Sequence, residues 1–432
     1  MTRIDTDTEI TILGGGLAAL YAAYKLKSQD IILLHSANKI GGLLNGSTWK
    51  NFYIDTGCHF FDGNEKQFEF YQTVGKTKIH KVKYGSVNTG KFTDEIATPE
   101  INQPKFVEAA LKELLNEDDT QLKKKNPTNL EEKFTNIFGK TAGLYMSDIQ
   151  KKFTGMDSKE LNASEFHKLS IFNRLRIGND VLSNKLKNTN SYLDKIICSS
   201  LQSRGLGSYQ ISMYPEEYGT SGFVKNAIEY FSNNDVSIFN EFKINKILDR
   251  KDFFEIHTSD GKKISTKNII STIPLSLLGS MIGVKQYSNP VFVNYKFVYI
   301  EVEKKYVSDI YYVQDFDLNN LVYRSSNMGL YSNQVTKGNT TFVVAEIPYS
   351  DQEPDINVNL IKNNLIIQNI LNDDCEVIDY KISDKKNAIP LNTTPEDFQL
   401  PKKFFAIPSS SFSIKNKLDS IDLIISNMLS DF

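Results

Sequence analysis

The stretch EITILGGGLAALYAAYKLK at residues 9–27, followed by IILLH at 31–35, limits the fold more than any other part of the chain. EITILG is a short apolar run rich in isoleucine that stops at glycines, the pattern of a strand buried on both faces of a parallel sheet. LAALYAAYKLK consists of strong helix formers, with Leu17, Leu20 and Tyr24 recurring at helical spacing, so a helix follows at once. IILLH then reads as the second parallel strand. Between strand and helix stands Gly14-x-Gly16-x-x-Ala19. Gly14 permits a tight turn, Gly16 lets backbone approach a pyrophosphate, and Ala19 is small enough for the helix to lie close on the strand. At its start the helix offers phosphates the unpaired N–H groups of its first turn, at Leu17, Ala18 and Ala19, and the positive end of its dipole. The spacing predicts a nucleotide-binding βαβ unit.

In such a unit the second strand ends in an acidic residue that holds a ribose. Here the position is His35, followed by Ser36. A carboxylate accepts two hydrogen bonds from ribose hydroxyls, whereas a neutral imidazole offers one acceptor and one donor. A neutral hydrogen bond is worth about half a charge-assisted one, so the change weakens the site by about 1–2 kcal/mol without abolishing it.

A chain of 432 residues is long enough for two or three domains. Hydrophobic residues at 40% and charged residues at 24% give the balance of a soluble globular protein. A net charge of −2 leaves no basic footprint for nucleic acid, and the lysines at 123–125 read as a solvated loop beside Asn126-Pro127. Cys58, Cys198 and Cys375 lie far apart in odd number and match no metal spacing, which fits a reducing cytoplasm. The N-terminus has no apolar run of signal-peptide length, and no stretch approaches the roughly 20 apolar residues of a membrane span, so a cytoplasmic location without a transmembrane segment is expected. Nucleophile-elbow, zinc-ligand and Walker patterns are missing from the sequence, which leaves a cofactor to carry the chemistry.

Beyond the first 85 residues the character of the chain changes. From about residue 105 to 200 the segments FVEAALKELL, SEFHKLSIFNRL and SYLDKIICSSL read as helices between polar loops. PEEYGTSGFVKNAIEYF suggests a turn and a helix, VSIFNEFKINKIL a strand pair, and NIISTIP a buried strand. FVNYKFVYIEVE, DIYYVQDF, NLVYRSS and TTFVVAEI are aromatic and β-rich, the pattern of an antiparallel sheet.

With the glycine turn, Gly41-Gly42, YIDTGCHFFD, YPEEYGTSGFVKNAIEYF, FKINKI and IISTIP in that order, the chain resembles the flavin-dependent amine oxidase, protoporphyrinogen oxidase and phytoene desaturase superfamily, to which UDP-galactopyranose mutases are related. The resemblance implies an α/β fold: a discontinuous Rossmann-like FAD-binding domain from 1–85, 205–280 and 385–432, an inserted helical layer at 86–204, and an antiparallel β-sheet substrate domain at 281–384. It implies that the backbone of Gly41, Gly42 and Leu43 approaches FAD and that main chain at Ile244 meets the adenine. It also places the loop at Gly57 and His59 beside the flavin ring, where His59 would orient substrate or exchange a proton. Cys58 beside it reads as a small buried hydrophobe.

The segment 137–161 is similar to the helical insert of members from surface-polysaccharide pathways. Two positions depart from the family pattern: His35 stands for the acidic ribose ligand, and Pro408-Ser409 for the C-terminal glycine pair with its charged partner. Arg324 could clamp a phosphate or carboxylate with two parallel hydrogen bonds, and Tyr311, Tyr312, Tyr323 and Tyr331 could line a substrate pocket or simply face an ordinary sheet. Three functions stay open. They are an FAD-dependent oxidoreductase acting on a small nucleotide-sugar-related substrate, a flavin-dependent UDP-sugar mutase, and a degenerate binding protein without catalysis.

Overall fold

The computed structural model describes residues 6–57, 60–115, 126–200, 202–205, 210–283, 290–332, 338–392, 400–407 and 414–430. Cys58, His59, the lysines at 123–125 and Pro408-Ser409 lie outside the described residues. The chain forms two compact units, one from Met1–Ile79, Ser212–Pro290 and Thr393–Phe432, the other from His80–Ile211 and Val291–Asn392.

In the first unit, β1 (Thr6–Leu13) leads through the glycine turn into α1 (Leu17–Lys25) and on to β2 (Ile31–Leu34). β1 lies between β2 and the strand Lys263–Ser271, parallel to both, and Ser237–Phe239 extends the parallel sheet beyond β2. Phe404–Ala406 pairs parallel with Ile269–Ser271, while Phe254–Thr258 and Ile244–Asp249 add an antiparallel flank. Every residue of β2 is buried, as its unbroken apolar run requires. Ala18, Ala19, Ala22 and Ala23 of α1 are buried together with Leu418, Ile421 and Ile425 of the helix Ile414–Ser430. Small side chains let these helices lie close to one another and to the sheet.

One sequence expectation fails here. VSIFNEFKINKIL is not a strand pair: Ser237–Phe239 joins β2, and Ile244–Asp249 pairs with Phe254–Thr258 instead. The connection at 240–242 does not make a hairpin but runs along the end of β2, with the Glu241 and Phe242 N–H groups donating to the carbonyls of Ala37 and His35 at 2.9 and 2.8 Å.

The second unit centres on a seven-stranded sheet in the order Asp379–Leu391, Val291–Glu303, Thr340–Tyr349, Arg324–Asn327, Tyr312–Asp315, Tyr84–Asn88, Lys91–Asp94. It is antiparallel except where Tyr312–Asp315 runs parallel to Tyr84–Asn88. The helices Pro104–Leu115 and Leu130–Thr154 belong to the same unit, the second broken at Gly139, whose φ of 80° and ψ of 171° interrupt the spiral. SEFHKLSIFNRL yields only the helical turn Glu165–Lys168 and a 3-10 turn at Ser170–Phe172, since Leu169 leaves helical backbone with ψ 56°. Lys152, near the end of the long helix, is buried against the sheet and donates to Asp315 at 2.9 Å and to the Asp317 carbonyl at 2.6 Å. Among the described residues no helix is long and apolar enough to cross a membrane, and no group of side chains could hold a metal ion.

Candidate cofactor site

Leu13, Leu34 and Ser271 end their strands at one edge of the parallel sheet, and the glycine turn sits on that edge. Gly14 has φ +117°, and a Cβ there would lie 2.2 Å from Thr272 Oγ1, which donates to the Leu13 carbonyl at 2.9 Å. Only glycine satisfies both the backbone angle and the space. The Gly41 N–H donates to the Gly15 carbonyl at 2.6 Å, fastening the second glycine pair onto the first turn.

Gly16 is the N-cap of α1 and supplies no side-chain cap, and a Cβ built on it meets nothing within 4 Å. Gly42 lies against Gly16, and Gly42 and Leu43 are exposed. The open space beside Gly16 thus lies at the positive end of the helix, whose first-turn N–H groups at Leu17, Ala18 and Ala19 have no partner within the helix. This backbone surface fits a pyrophosphate.

His35 departs from an acid in place as well as in chemistry. Its imidazole lies across Gly15, so closely that a Cβ on Gly15 would come within 2.7 Å of the ring, and Nε2 stands 2.9 Å from the Lys39 carbonyl. A carbonyl only accepts, so in the neutral ring Nε2 carries the proton and Nδ1 is the one acceptor left. Ser36 is exposed beside it. The bonds from residues 241 and 242 to this loop bring the start of the Ile244 strand next to His35, and Ile244 itself is half-buried opposite Thr258.

A buried carboxylate escaped the sequence analysis. Asp55, 2% exposed, follows the short strand Phe52–Ile54 and accepts hydrogen bonds from the Thr220 N–H at 3.0 Å, the Thr220 hydroxyl at 2.9 Å and the Tyr214 hydroxyl. It thereby caps the helix Gly219–Ser232, whose own N-cap Tyr218 offers no side-chain bond. Burial pushes its pKa up to about 6, against the pull of the Tyr214 and Thr220 donors. Two residues on, Gly57 is buried with φ +86°, a left-handed turn suited to glycine.

In the second unit Arg324 is already engaged. Its Nε and Nη2 each lie 2.8 Å from a carboxylate oxygen of Glu346, which is 1% exposed, and the Tyr323 hydroxyl reaches the same carboxylate at 3.3 Å. Burial holds the Tyr323 phenol well above its ordinary pKa. Tyr323 also makes an edge contact with Phe153. Tyr311 and Tyr331 form another pair, 5.6 Å between ring centres, and Tyr311 meets His80. Tyr331 and Tyr323 are buried, Tyr311 is half-buried, and burial raises the Tyr311 pKa. The ring contacts thus sort the predicted residues into a Tyr323–Arg324 group and a Tyr311–Tyr331 group.

Residues 17–297 match the model of a family described as flavin containing amine oxidoreductase. No curated protein matches the chain in sequence. Among solved structures, a reduced UDP-galactopyranose mutase is similar at TM-score 0.61 and 16% identity, over 89% of this chain and 83% of its own. A putrescine oxidase bound to putrescine is similar at TM-score 0.61 and 10% identity, over 99% of this chain and 100% of its own. A conjugated-linoleic-acid-producing fatty acid isomerase from P. acnes reaches TM-score 0.55 at 13% identity, over 97% and 98%. Identities this low show a shared fold and nothing about substrate.

Proposed function

Because the chain belongs to the family of flavin-containing amine oxidoreductases, we propose that it is a cytoplasmic FAD-dependent oxidoreductase whose small, polar substrate is related to the nucleotide sugars of surface-polysaccharide biosynthesis. The observation that carries the FAD assignment is the bare backbone at the start of α1, where Gly16 faces open space. The N–H groups of Leu17, Ala18 and Ala19 would hold the pyrophosphate, with Gly41 and Gly42 admitting it closely. His35 would accept one ribose hydroxyl through Nδ1, and main chain at Ile244 would meet the adenine. The discontinuous first unit thus serves the cofactor and the remainder the substrate. A bound flavin supplies two-electron redox chemistry. The protein's part is to orient the reactants and keep water out.

Arg324 would not be the group that holds a diphosphate, whether of a nucleotide-sugar-related substrate or of the UDP-sugar of a mutase. Its fork is taken by Glu346, so using it on a diphosphate would draw the arginine away from a buried carboxylate. The deciding experiment is the absorption spectrum of the purified protein, with release and quantification of FAD. Anaerobic reduction by candidate substrates, compared with turnover after dithionite, then separates oxidoreductase from mutase. A colourless protein that takes up no FAD in calorimetry would instead be a binding protein.

A further inference from the structure

The helix Ile414–Ser430 carries a cation where its surroundings disfavour one. The strand Phe404–Ala406 runs parallel to Lys263–Ser271 and hence to β1, so it ends at the edge of the sheet that bears the glycine turn. There the Ile407 N–H donates to the Ser271 carbonyl at 3.0 Å, and the next described element is the helix opening at Ile414. A helix that follows a parallel strand runs back against it, as α1 does after β1, so the two helices point the same way. The two helices share one core, and they are joined at Asp422, to which the Tyr21 hydroxyl donates at 3.0 Å, with Lys25 3.3 Å from the same carboxylate. Lys417 precedes Asp422 by the same count as Gly16 precedes Tyr21, about 7.5 Å along each axis, which sets the Lys417 backbone about level with the glycine turn along the helix axis.

Among the described residues Lys417 has no hydrogen bond or ion pair. The carboxylates of its own helix are turned elsewhere, Asp419 to the Gln67 amide at 2.8 Å and Asp422 to Tyr21 and Lys25. Lys417 is half-buried, and desolvation lowers the pKa of its amine. A first-turn lysine is also repelled by the positive end of its own helix. Both costs vanish once an anion sits between the two helix starts.

We infer that Lys417 is a phosphate ligand, pairing its ammonium with the pyrophosphate of the dinucleotide cofactor at the first turn of α1. This rests on the flavin function proposed above. The test is titration of flavin-free protein with FAD at low and high salt, for the wild type, Lys417→Met and Lys417→Arg. Loss of a charge-assisted contact should weaken FAD binding by the Met variant roughly ten- to a hundred-fold, with Arg restoring most of it. The affinity of the wild type should also fall more steeply with salt than that of the Met variant, a difference that lost packing would not produce. Equal affinities and equal salt slopes for wild type and Met variant would overturn the inference alone. A wild type that melts cooperatively yet binds no FAD would overturn the flavin function and this inference with it. Should the Met variant fail to fold, the Arg variant decides: retained affinity and salt slope support the phosphate contact, and their loss in a folded protein overturns it.

Discussion

The glycine edge of the first unit and the arginine strand of the second both carry motifs that promise an anion site, and the structure treats them in opposite ways. At the edge, a Cβ built on Gly16 would meet nothing within 4 Å and the helix start has no side-chain cap. On the strand, both prongs of Arg324 lie 2.8 Å from Glu346. A glycine motif works through what is missing, so no other side chain can use it up. An arginine is available only if no carboxylate has claimed it first.

The sharpest way to break this contrast is Arg324→Ala. If the arginine is structural, truncation leaves the buried Glu346 carboxylate without its counter-charge and should lower stability by about 3–5 kcal/mol in urea denaturation. Pairing Arg324→Met with Glu346→Leu should recover most of that loss. Unchanged stability in the single variant, with substrate binding weakened, would return Arg324 to the substrate site.

Asp55 is the place where the first unit behaves like the second, with a buried carboxylate used up inside the fold. Its neutral donors, Tyr214 and Thr220, do not outweigh desolvation, and its pKa rises from 3.8 to about 6. A folded-state pKa above the unfolded one means that the native protein binds the extra proton. Stability from this group is therefore complete below about pH 4 and declines as pH rises through about 6, by about 3 kcal/mol in all. Asp55→Asn should flatten that part of the pH–stability curve. An unchanged curve would show that the carboxylate is better solvated than its surroundings indicate.

These cases show why one part of the molecule was legible in the sequence and another was not. The βαβ unit is local: strand, turn, helix and strand lie within residues 9–35, and spacing alone orders them. Asp55 finds its partners 159 and 165 residues away, beyond the reach of any local pattern. Glu346 stands directly opposite Arg324 in the antiparallel register. Pairing NLVYRSS with TTFVVAEI would have revealed that neighbour, but alternation marks a strand without naming its partner. The same gap explains the misassigned strand pair at 236–248, where two correctly read strands join different neighbours.

A smaller effect should separate the two regions by kind. Gly16 has φ −82° and ψ −178°, a backbone any residue adopts, so Gly16→Val should change stability by no more than about 0.5 kcal/mol. The added side chain would nevertheless stand where phosphate approaches and should weaken FAD binding roughly ten- to a hundred-fold in calorimetry. Equal loss of stability and affinity would mean that the open space beside Gly16 is filled by the protein itself.

His35→Glu tests the least conspicuous element of the glycine edge. The imidazole spends Nε2 on the Lys39 carbonyl and lies over Gly15, which leaves Nδ1 to accept from one ribose hydroxyl. Glutamate has no proton to give Lys39, but its two charged oxygens can accept from both hydroxyls. The gain on the ribose is about 1–2 kcal/mol, so FAD should bind roughly five- to thirty-fold more tightly and survive purification at higher occupancy. Losing the Lys39 bond works against this by loosening the loop at 35–41, and a variant with lower melting temperature but tighter FAD would show both effects at once. If affinity falls instead, the imidazole is matched to its ligand through Nδ1 and the face over Gly15, and the missing acid reflects a different cofactor contact rather than a weakened one.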